Sequence, residues 1–332
     1  MTDKQVDVFG VGNALVDILA MVNDDFLTKH QLDKGGMSLC DSDAQAALLN
    51  DLEGELLEMK SGGSAANTMI AITQSGGSGI YTGRVASDKN GEFYRLDMVE
   101  AGIRFDVDAA AAGSAPTGTS LILTTPDAER TMCTNLGVSI DLDNDDIDYD
   151  ALAKCKYCYI EGYLWDPEIP RATSIKVMEK AKELGVKVSF TFSDPFLVSR
   201  YAVDFRRVAK ELCDVVFCNA DEARHFCQTD SLDAAVVEIG QLCDLVFVTD
   251  GPHGCRVVRS GNATHIPGFS VKALDTVGAG DAFAGGVLFG LTNGYSPEQS
   301  AKWGNYLAAQ VVTIHGARLP GEMTSELAKV LA

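Results

Sequence analysis

Positive charge is scarce in this sequence: 27 Lys and Arg stand against 47 Asp and Glu, a formal net charge of −20 over 332 residues. A basic patch able to neutralise a nucleic-acid backbone or an anionic membrane cannot be assembled from so few cations, so neither is an expected partner. Any phosphate-bearing ligand must be held by local donors and a metal, because the overall field repels it. No apolar run approaches the roughly 20 residues of a membrane helix. The nine cysteines show no zinc spacing. Cys155 and Cys158 form a CxxC within an apolar run and read as buried thiols. An odd cysteine count without a secretory leader points to a reducing cytoplasm. No Gly-Lys dipeptide occurs, which excludes a Walker A loop, and no His-Arg-Asp triplet, which argues against a protein kinase. The five histidines lack HExxH spacing. No Gly-x-Ser string has the closing glycine of a nucleophile elbow.

What remains is ordinary for a soluble globular chain, with 46% hydrophobic and 22% charged residues. Val6 to Val11 reads as a short buried strand, Asp41 to Glu58 as a polar-faced helix, and Ser61 to Thr73 as a glycine-opened helix. Ile80 to Val85 follows as a strand and Gly91 to Ala101 as a helix. From residue 155 onward, apolar runs of strand length alternate with helical patterns. The strands are Tyr157 to Ile160, Val186 to Phe192, Val215 to Cys218 and Leu245 to Thr249. Such alternation predicts an α/β fold with a central, mostly parallel sheet flanked by helices. Ligands of such sheets bind at the carboxyl ends of the strands, where Glu161, Asp194, Asn219, Glu222, Thr249 and Asp250 gather. The stretch Gly113 to Leu136 breaks the alternation and reads as a β-hairpin. Together with the strand-rich region Leu15 to Leu39 it suggests a small β lid, from about 15–39 and 104–136, on a single domain spanning 1–332.

The stretch Leu274 to Gly286, LDTVGAGDAFAGG, carries the most chemistry. Gly278, Ala279 and Gly280 form a turn without bulk, and Asp281 opens a helix with apolar residues at Phe283, Val287 and Leu291. Gly294 ends it. Backbone N–H groups at such a turn converge on one spot and favour an anion there. Asp281 at that mouth is either an N-cap or a general base that takes a hydroxyl proton while the amides hold the developing charge. Asp17, a carboxylate among Leu15, Val16, Ile18 and Leu19, either faces outward or accepts hydrogen bonds from ligand hydroxyls. Gly62 and Gly63 allow close backbone approach at a helix start, and Asn67, one turn in, is either solvated or faces the same mouth. Arg130, leaving the hairpin turn, reads on its own as a solvated cation.

The string from Asp275 through Gly286 resembles the DTxGAGD signature of the ribokinase-like (PfkB) carbohydrate kinase family. Gly62, Gly63 and Asn67 resemble its glycine-pair-and-Asn motif, Asn219 and Glu222 its NxxE, and Thr249, Gly251 and Gly254 its VTxGxxG. Asn305, in WGNYLAA, stands where members line the ATP base pocket. Gly83, Asp88 and Gly91 follow a further glycine motif, with Ala86 in place of one glycine. Within the family, GNALVDI with Asn13 and Asp17, Asp25-Phe26-Leu27, and the segment from Ser193 through Phe196 to Tyr201 resemble the adenosine-kinase branch. Asp194 and Leu164 depart from that branch, where a small residue and an aromatic are usual.

The resemblance implies a ribokinase-like fold and ATP-dependent, Mg²⁺-requiring transfer to a hydroxyl. The first expected acceptor is the 5′-OH of adenosine. The alternatives are a sugar kinase for fructose, ribose or a sugar acid, and a non-catalytic nucleotide-binding relative. By resemblance Asp281 is the base and Gly278, Ala279 and Gly280 the anion hole. Asn13, Asp17, Gly62, Gly63 and Asn67 serve the sugar, and Leu15, Leu39, Leu164 and Phe196 wall the base. Arg130 meets phosphate. Asn219, Thr249, Gly251, Gly254 and Asn305 serve ATP, and Glu222 organises Mg²⁺ through water. A monovalent cation such as K⁺ near Asp275 is a further family habit. The expected partners are a small nucleoside or sugar and ATP, with the chain a monomer or homodimer.

Overall fold

Period-two alternation of apolar side chains sets the architecture. The computed structural model describes residues 4–52, 58–127 and 129–332. Its strands begin with β1 (Val6–Val11), β2 (Leu15–Met21), β3 (Met37–Leu39) and β4 (Glu58–Gly62). Next come β5 (Gly79–Thr82), β6 (Ile103–Arg104) and the pair β7 (Thr117–Thr124) and β8 (Arg130–Gly137). The regular half holds β9 (Cys155–Glu161), β10 (Lys187–Thr191), β11 (Val215–Asn219) and β12 (Leu245–Thr249), followed by β13 (Cys255–Arg259) and β14 (Asn262–Ile266).

Nine strands form one sheet in the order β14-β13-β12-β11-β10-β9-β1-β5-β6. It is parallel from β12 to β6 and ends in an antiparallel β12-β13-β14 edge. Both faces are buried. Phe9, Val11, Cys158, Ile160, Val216 and Val246 point to the side covered by helices Glu168–Glu183, Pro195–Glu211, Ala220–Cys227 and Leu232–Ile239. Val8, Tyr157, Tyr159, Phe217 and Phe247 point to the other, against helices Ser64–Gln74 and Ala279–Thr292. Consecutive residues of one strand thus serve different cores, as the strand period requires. Cys155 and Cys158 are buried free thiols, and burial pushes the Cys155 thiol up to about 12.

Helix Ala279–Thr292 packs closely on two neighbours. A Cβ on Gly285 would lie 2.6 Å from both the Thr68 carbonyl oxygen and Ala71 Cβ. One on Gly286 would lie 2.8 Å from Gly304 Cα, in helix Pro297–Val311. The glycines Gly285 and Gly286 are therefore contact positions, and they bring the N-termini of helices Ser64–Gln74 and Ala279–Thr292 to the same end of the sheet.

The second sheet has five strands in the order β3-β8-β7-β2-β4. The hairpin expected between 113 and 136 is present as β7 and β8, paired antiparallel. Three expectations change. The helix expected from Asp41 to Glu58 covers Ser42–Asp51; residues 53–57 lie outside the described residues, and Glu58 begins β4, which pairs with β2. The region Leu15 to Leu39 contains a helix, Asp24–Lys29, capped by Asn23. Ile103–Arg104 joins β5 in the large sheet, not the small one. No helix among the described residues is long and apolar enough to cross a membrane.

Phe190 centres an aromatic cluster under the large sheet, with ring centroids 5.0 Å from Trp165 and 5.0 Å from Phe205. Replacing it by alanine should cost about 3–5 kcal/mol, read as a fall in the urea midpoint at unchanged slope.

Candidate active site

A cavity of about 400 Å³ opens where the small sheet faces the carboxyl ends of the parallel strands. Strand ends β9, β11 and β12 bring Glu161, Asn219 and Thr249 to its wall, with Asp194 and Glu222 from the segments that follow. The small sheet contributes Leu15, Asp17, Met37, Leu39, Ile122, Met132 and Leu136. Asn13, Gly63, Asn67, Gly278, Gly280 and Asp281 are further expected residues at the wall, whereas the expected Gly62 and Ala279 do not line it.

Asp281 does not open its helix. Helix Ala279–Thr292 starts two residues earlier with Gly278 as N-cap, and Ala282 N donates to Gly278 O at 2.8 Å. Asp281 is therefore no N-cap. Its carboxylate instead accepts from Ser64 Oγ at 2.6 Å and, more weakly, from Asn67 Nδ2 at 3.4 Å, both on the opposing helix. The amides of Gly280 and Asp281 lie in the first turn, where no helical carbonyl precedes them. Ala279 N leans on Thr276 O at 3.3 Å. Burial raises Asp281 to about 6, partly opposed by the Ser64 and Asn67 hydrogen bonds.

Glu161, 1% exposed, is the pillar beneath the cavity. It accepts from Asn13 N at 2.8 Å, Asn13 Nδ2 at 2.9 Å and Ala65 N at 2.7 Å. One carboxylate thus ties the β1–β2 turn to the start of helix Ser64–Gln74. Burial raises it to about 7 against those donors. Asp17 reaches the cavity from β2. Burial raises it to about 7, with Arg318 pulling it down and Asp281 pushing it up. Gly62 lies beside Asp17 and leaves room for its carboxylate, since a Cβ there would fall 2.2 Å from Oδ1.

Asn219 and Glu222 form a reciprocal cap: Asn219 N and Nδ2 donate to Glu222, and Glu222 N donates to Asn219 Oδ1 at 2.8 Å. Burial raises Glu222 to about 7, reinforced by Asp194, Asp221 and Asp281. Among the described residues, no group of three or more His, Cys, Asp or Glu side chains is arranged to hold a metal directly.

Several expected members stand elsewhere. Leu164 is fully buried in the core with Trp165 and cannot wall a ligand. Phe196 is 78% exposed at the start of helix Pro195–Glu211 and does not line the cavity. Asp194 caps that helix, accepting from Phe196 N at 2.7 Å, and so turns the phenyl ring away. Arg130 is not solvated: it is 8% exposed and forms a buried ion pair with Asp275. Gly251, Gly254 and Asn305 are also absent from the cavity wall. Asn305 Nδ2 donates to Ile266 O and Pro267 O, both at 3.1 Å, and holds the chain after β14. Ser64 and Arg318 were missed. A hydroxyl one residue past the glycine pair was a usable signal for Ser64; nothing around Arg318 marked it.

Comparison with known proteins bears on the family and the fold. Residues 43–323 match the family described as pfkB family carbohydrate kinase. Adenosine kinase of Saccharomyces cerevisiae is 30% identical, over 95% of this chain and 97% of its own. Fructokinase of Klebsiella pneumoniae is 29% identical, over 85% and 94%. Among solved structures, a probable sugar kinase from Rhizobium etli superimposes with a TM-score of 0.92 at 33% identity, covering 99% of this chain and 100% of that one. Adenosine kinase from Sinorhizobium meliloti gives 0.90 at 35%, covering 98% and 99%.

Gly63 has φ +98°, and a Cβ there would lie 2.2 Å from the Asn13 carbonyl oxygen. Gly261, at φ +78°, has open space around it. Gly63→Ala should therefore lose more stability than Gly261→Ala, which bears backbone strain of about 1–3 kcal/mol alone. Equal denaturation midpoints for the two variants would contradict the contact with Asn13.

Proposed function

The chain belongs to the pfkB family of carbohydrate kinases, and from that premise we propose that it transfers a phosphoryl group from ATP to a hydroxyl of a ribose-containing acceptor, the 5′-OH of adenosine first. The observation that carries this reading is the pairing of Asp281 with the helix N-terminus on which it rides. Asp281 takes the proton of the attacking hydroxyl, and the first-turn amides of Gly280 and Asp281 hold charge on the transferring group, the Ala279 amide being already donated to Thr276 O. Phosphoryl transfer asks little more of the protein than such positioning and electrostatics.

Asp17, Asn67 and Gly63 hold the sugar. A base lies against the apolar wall of Leu15, Met37, Leu39, Ile122 and Met132, which a bare sugar would leave unused. That wall favours a nucleoside over fructose or ribose. ATP approaches past Asn219 and Thr249. Mg²⁺ would be held through water by Glu222, and Asp194 and Asp281 add the negative field that suits a hydrated cation. It would screen the phosphate charges. A monovalent cation beside Asp275 would have to share that carboxylate with the Arg130 guanidinium. The small sheet acts as a lid that excludes water while the sugar is bound. A panel of nucleosides and sugars, followed by ADP release, tests the reading; fastest turnover on a sugar would overturn the adenosine assignment.

Asp281→Asn removes a buried charge and keeps the side-chain size, so the melting temperature should hold. Turnover should drop by roughly 10²–10⁴-fold, the usual worth of a positioned base. In the unaltered chain, the base works only when ionised, so kcat should fall as pH drops through about 6. Near-normal turnover by the folded variant would end the assignment of Asp281 as base.

Asp17→Ala should raise KM for the acceptor by about ten-fold or more while KM for ATP changes little, since a charged hydrogen bond is worth roughly 1.5–3 kcal/mol. Asp17 binds hydroxyls best when ionised. Acceptor KM in the unaltered chain should therefore fall as pH rises through about 7, and this dependence should vanish in the variant.

A further inference from the structure

Arg318 lies in the segment after helix Pro297–Val311, and its guanidinium is satisfied at three corners. Nε donates to Asn67 Oδ1 at 3.1 Å, Nη1 to Asp97 Oδ2 at 2.9 Å, and Nη2 to Ser61 Oγ at 2.8 Å. These partners come from helix Ser64–Gln74, helix Lys89–Glu100 and strand β4. Asp97 is itself anchored, accepting from Ser61 N at 2.9 Å and from Ser61 Oγ. The arginine side chain is 12% exposed and the asparagine 7%, so water competes little with the bond between them, while Asp97 stays 30% exposed.

The consequence lies at the far end of the Asn67 amide. A guanidinium can only donate, so it accepts nothing but the oxygen end of the amide. With Oδ1 held by Arg318, the Nδ2 end faces Asp281 Oδ2. Without Arg318, the amide is free to turn over and set its oxygen against the carboxylate. We propose that Arg318 is a positioning residue for the transfer reaction, acting through Asn67 to keep a hydrogen-bond donor on the Asp281 carboxylate. This rests on the kinase reading for its catalytic meaning, though the geometry is independent of it.

The surroundings make that donor consequential. The titratable groups that bear on Asp281 are Asp17 on β2, Tyr159 and Glu161 on β9, Tyr163 just beyond it, and Glu222. Asp17, Glu161 and Glu222 each disfavour a further negative charge when ionised, whereas the two tyrosines stay protonated and neutral. Among the described residues, only the Ser64 hydroxyl and the Asn67 amide oppose burial of the carboxylate. Loss of the second donor therefore moves Asp281 upward, and the window in which it is ionised retreats to higher pH.

The test is the pH profile of kcat in Arg318→Gln and Arg318→Lys, with the Asn67→Ala variant and the double variant as a cycle. The acid limb should move up by about one unit in Arg318→Gln, with activity recovering toward wild type above it. Arg318→Lys keeps the charge without the fork and should fall between. In the Asn67→Ala background, removal of Arg318 should add no further shift. A second readout needs no turnover: the Asp281 carboxyl ¹³C resonance, assigned by its loss in Asp281→Asn, should titrate about one unit higher in Arg318→Gln. That signal separates failure of the positioning role from failure of the kinase reading, which the acceptor panel decides. Should Arg318→Gln not fold, the carboxyl titration of Arg318→Lys carries the test alone. An unmoved limb and an unmoved carboxyl titration, with only a lower melting temperature, would reduce Arg318 to a structural tie and overturn the proposal.

Discussion

The contact between helices Ser64–Gln74 and Ala279–Thr292 is the constraint on which the site depends. A carboxylate at a cavity wall is oriented only by short, fixed contacts, and Asp281 and Ser64 are 217 positions apart in sequence. The 2.6 Å bond between them forms because Gly285 lets one helix backbone approach Thr68 and Ala71 of the other. A side chain at Gly285 would force the helices apart and carry Asp281 away from its donors. The glycines late in the LDTVGAGDAFAGG stretch thus do different work from those at its turn. The early ones expose amides, and the late ones set the separation at which those amides and the carboxylate become a single site.

Electrostatics within the cavity run against the chain's composition. With a net charge of −20, the chain nonetheless collects Asp17, Glu161, Asp194, Glu222 and Asp281 around one space. Burying a carboxylate is unfavourable, and Asp17, Glu161, Glu222 and Asp281 are each raised by it. The fold supplies backbone and side-chain donors to three of these four: Asn13 and Ala65 to Glu161, Asn219 to Glu222, Ser64 and Asn67 to Asp281. Of the two nearby arginines, Arg318 is committed to Asp97, and Arg130 pairs with Asp275 through Nη2 and lies outside the cavity wall. An anionic substrate entering this space therefore relies on helix amides and on a cation it brings with it, which is the arrangement expected of a metal–nucleotide complex.

Sequence reading succeeded where a physical period or a local motif carried the information. The alternation from Tyr157 to Thr249 placed the parallel strands, because both faces of that sheet are buried and each run is apolar throughout. The same logic brings Glu161, Asn219 and Thr249 to the carboxyl ends of neighbouring strands. It failed where a side chain's direction is decided by tertiary partners. Phe196 looked like a wall residue, but the Asp194 cap sets the helix start and leaves the ring outside. Leu164 sits one residue from Trp165 in a tight helical turn, and the aromatic core claims both. Arg130 looked solvated because its partner, Asp275, is 145 residues away and is itself buried. Arg318 gave no local sign, since its three partners belong to three separate elements.

The Arg130–Asp275 pair gives the small sheet a physical hold on the glycine turn. Arg130 begins β8 of that sheet, and Asp275 precedes the glycine turn by three residues. Asp275 also accepts from Val277 N at 3.1 Å and Gly316 N at 2.7 Å, so one carboxylate joins the small sheet, the turn and the segment that carries Arg318. A buried pair of this kind adds little net stability over apolar packing, but breaking it by removing one partner leaves an uncompensated charge. Its worth therefore lies in registry. Strand β8 cannot move away from the turn without exposing or abandoning Asp275, and the turn cannot reshape around a phosphate without disturbing β8. The small sheet and the glycine turn, which both border the cavity, are in this way made to answer to each other through a single carboxylate.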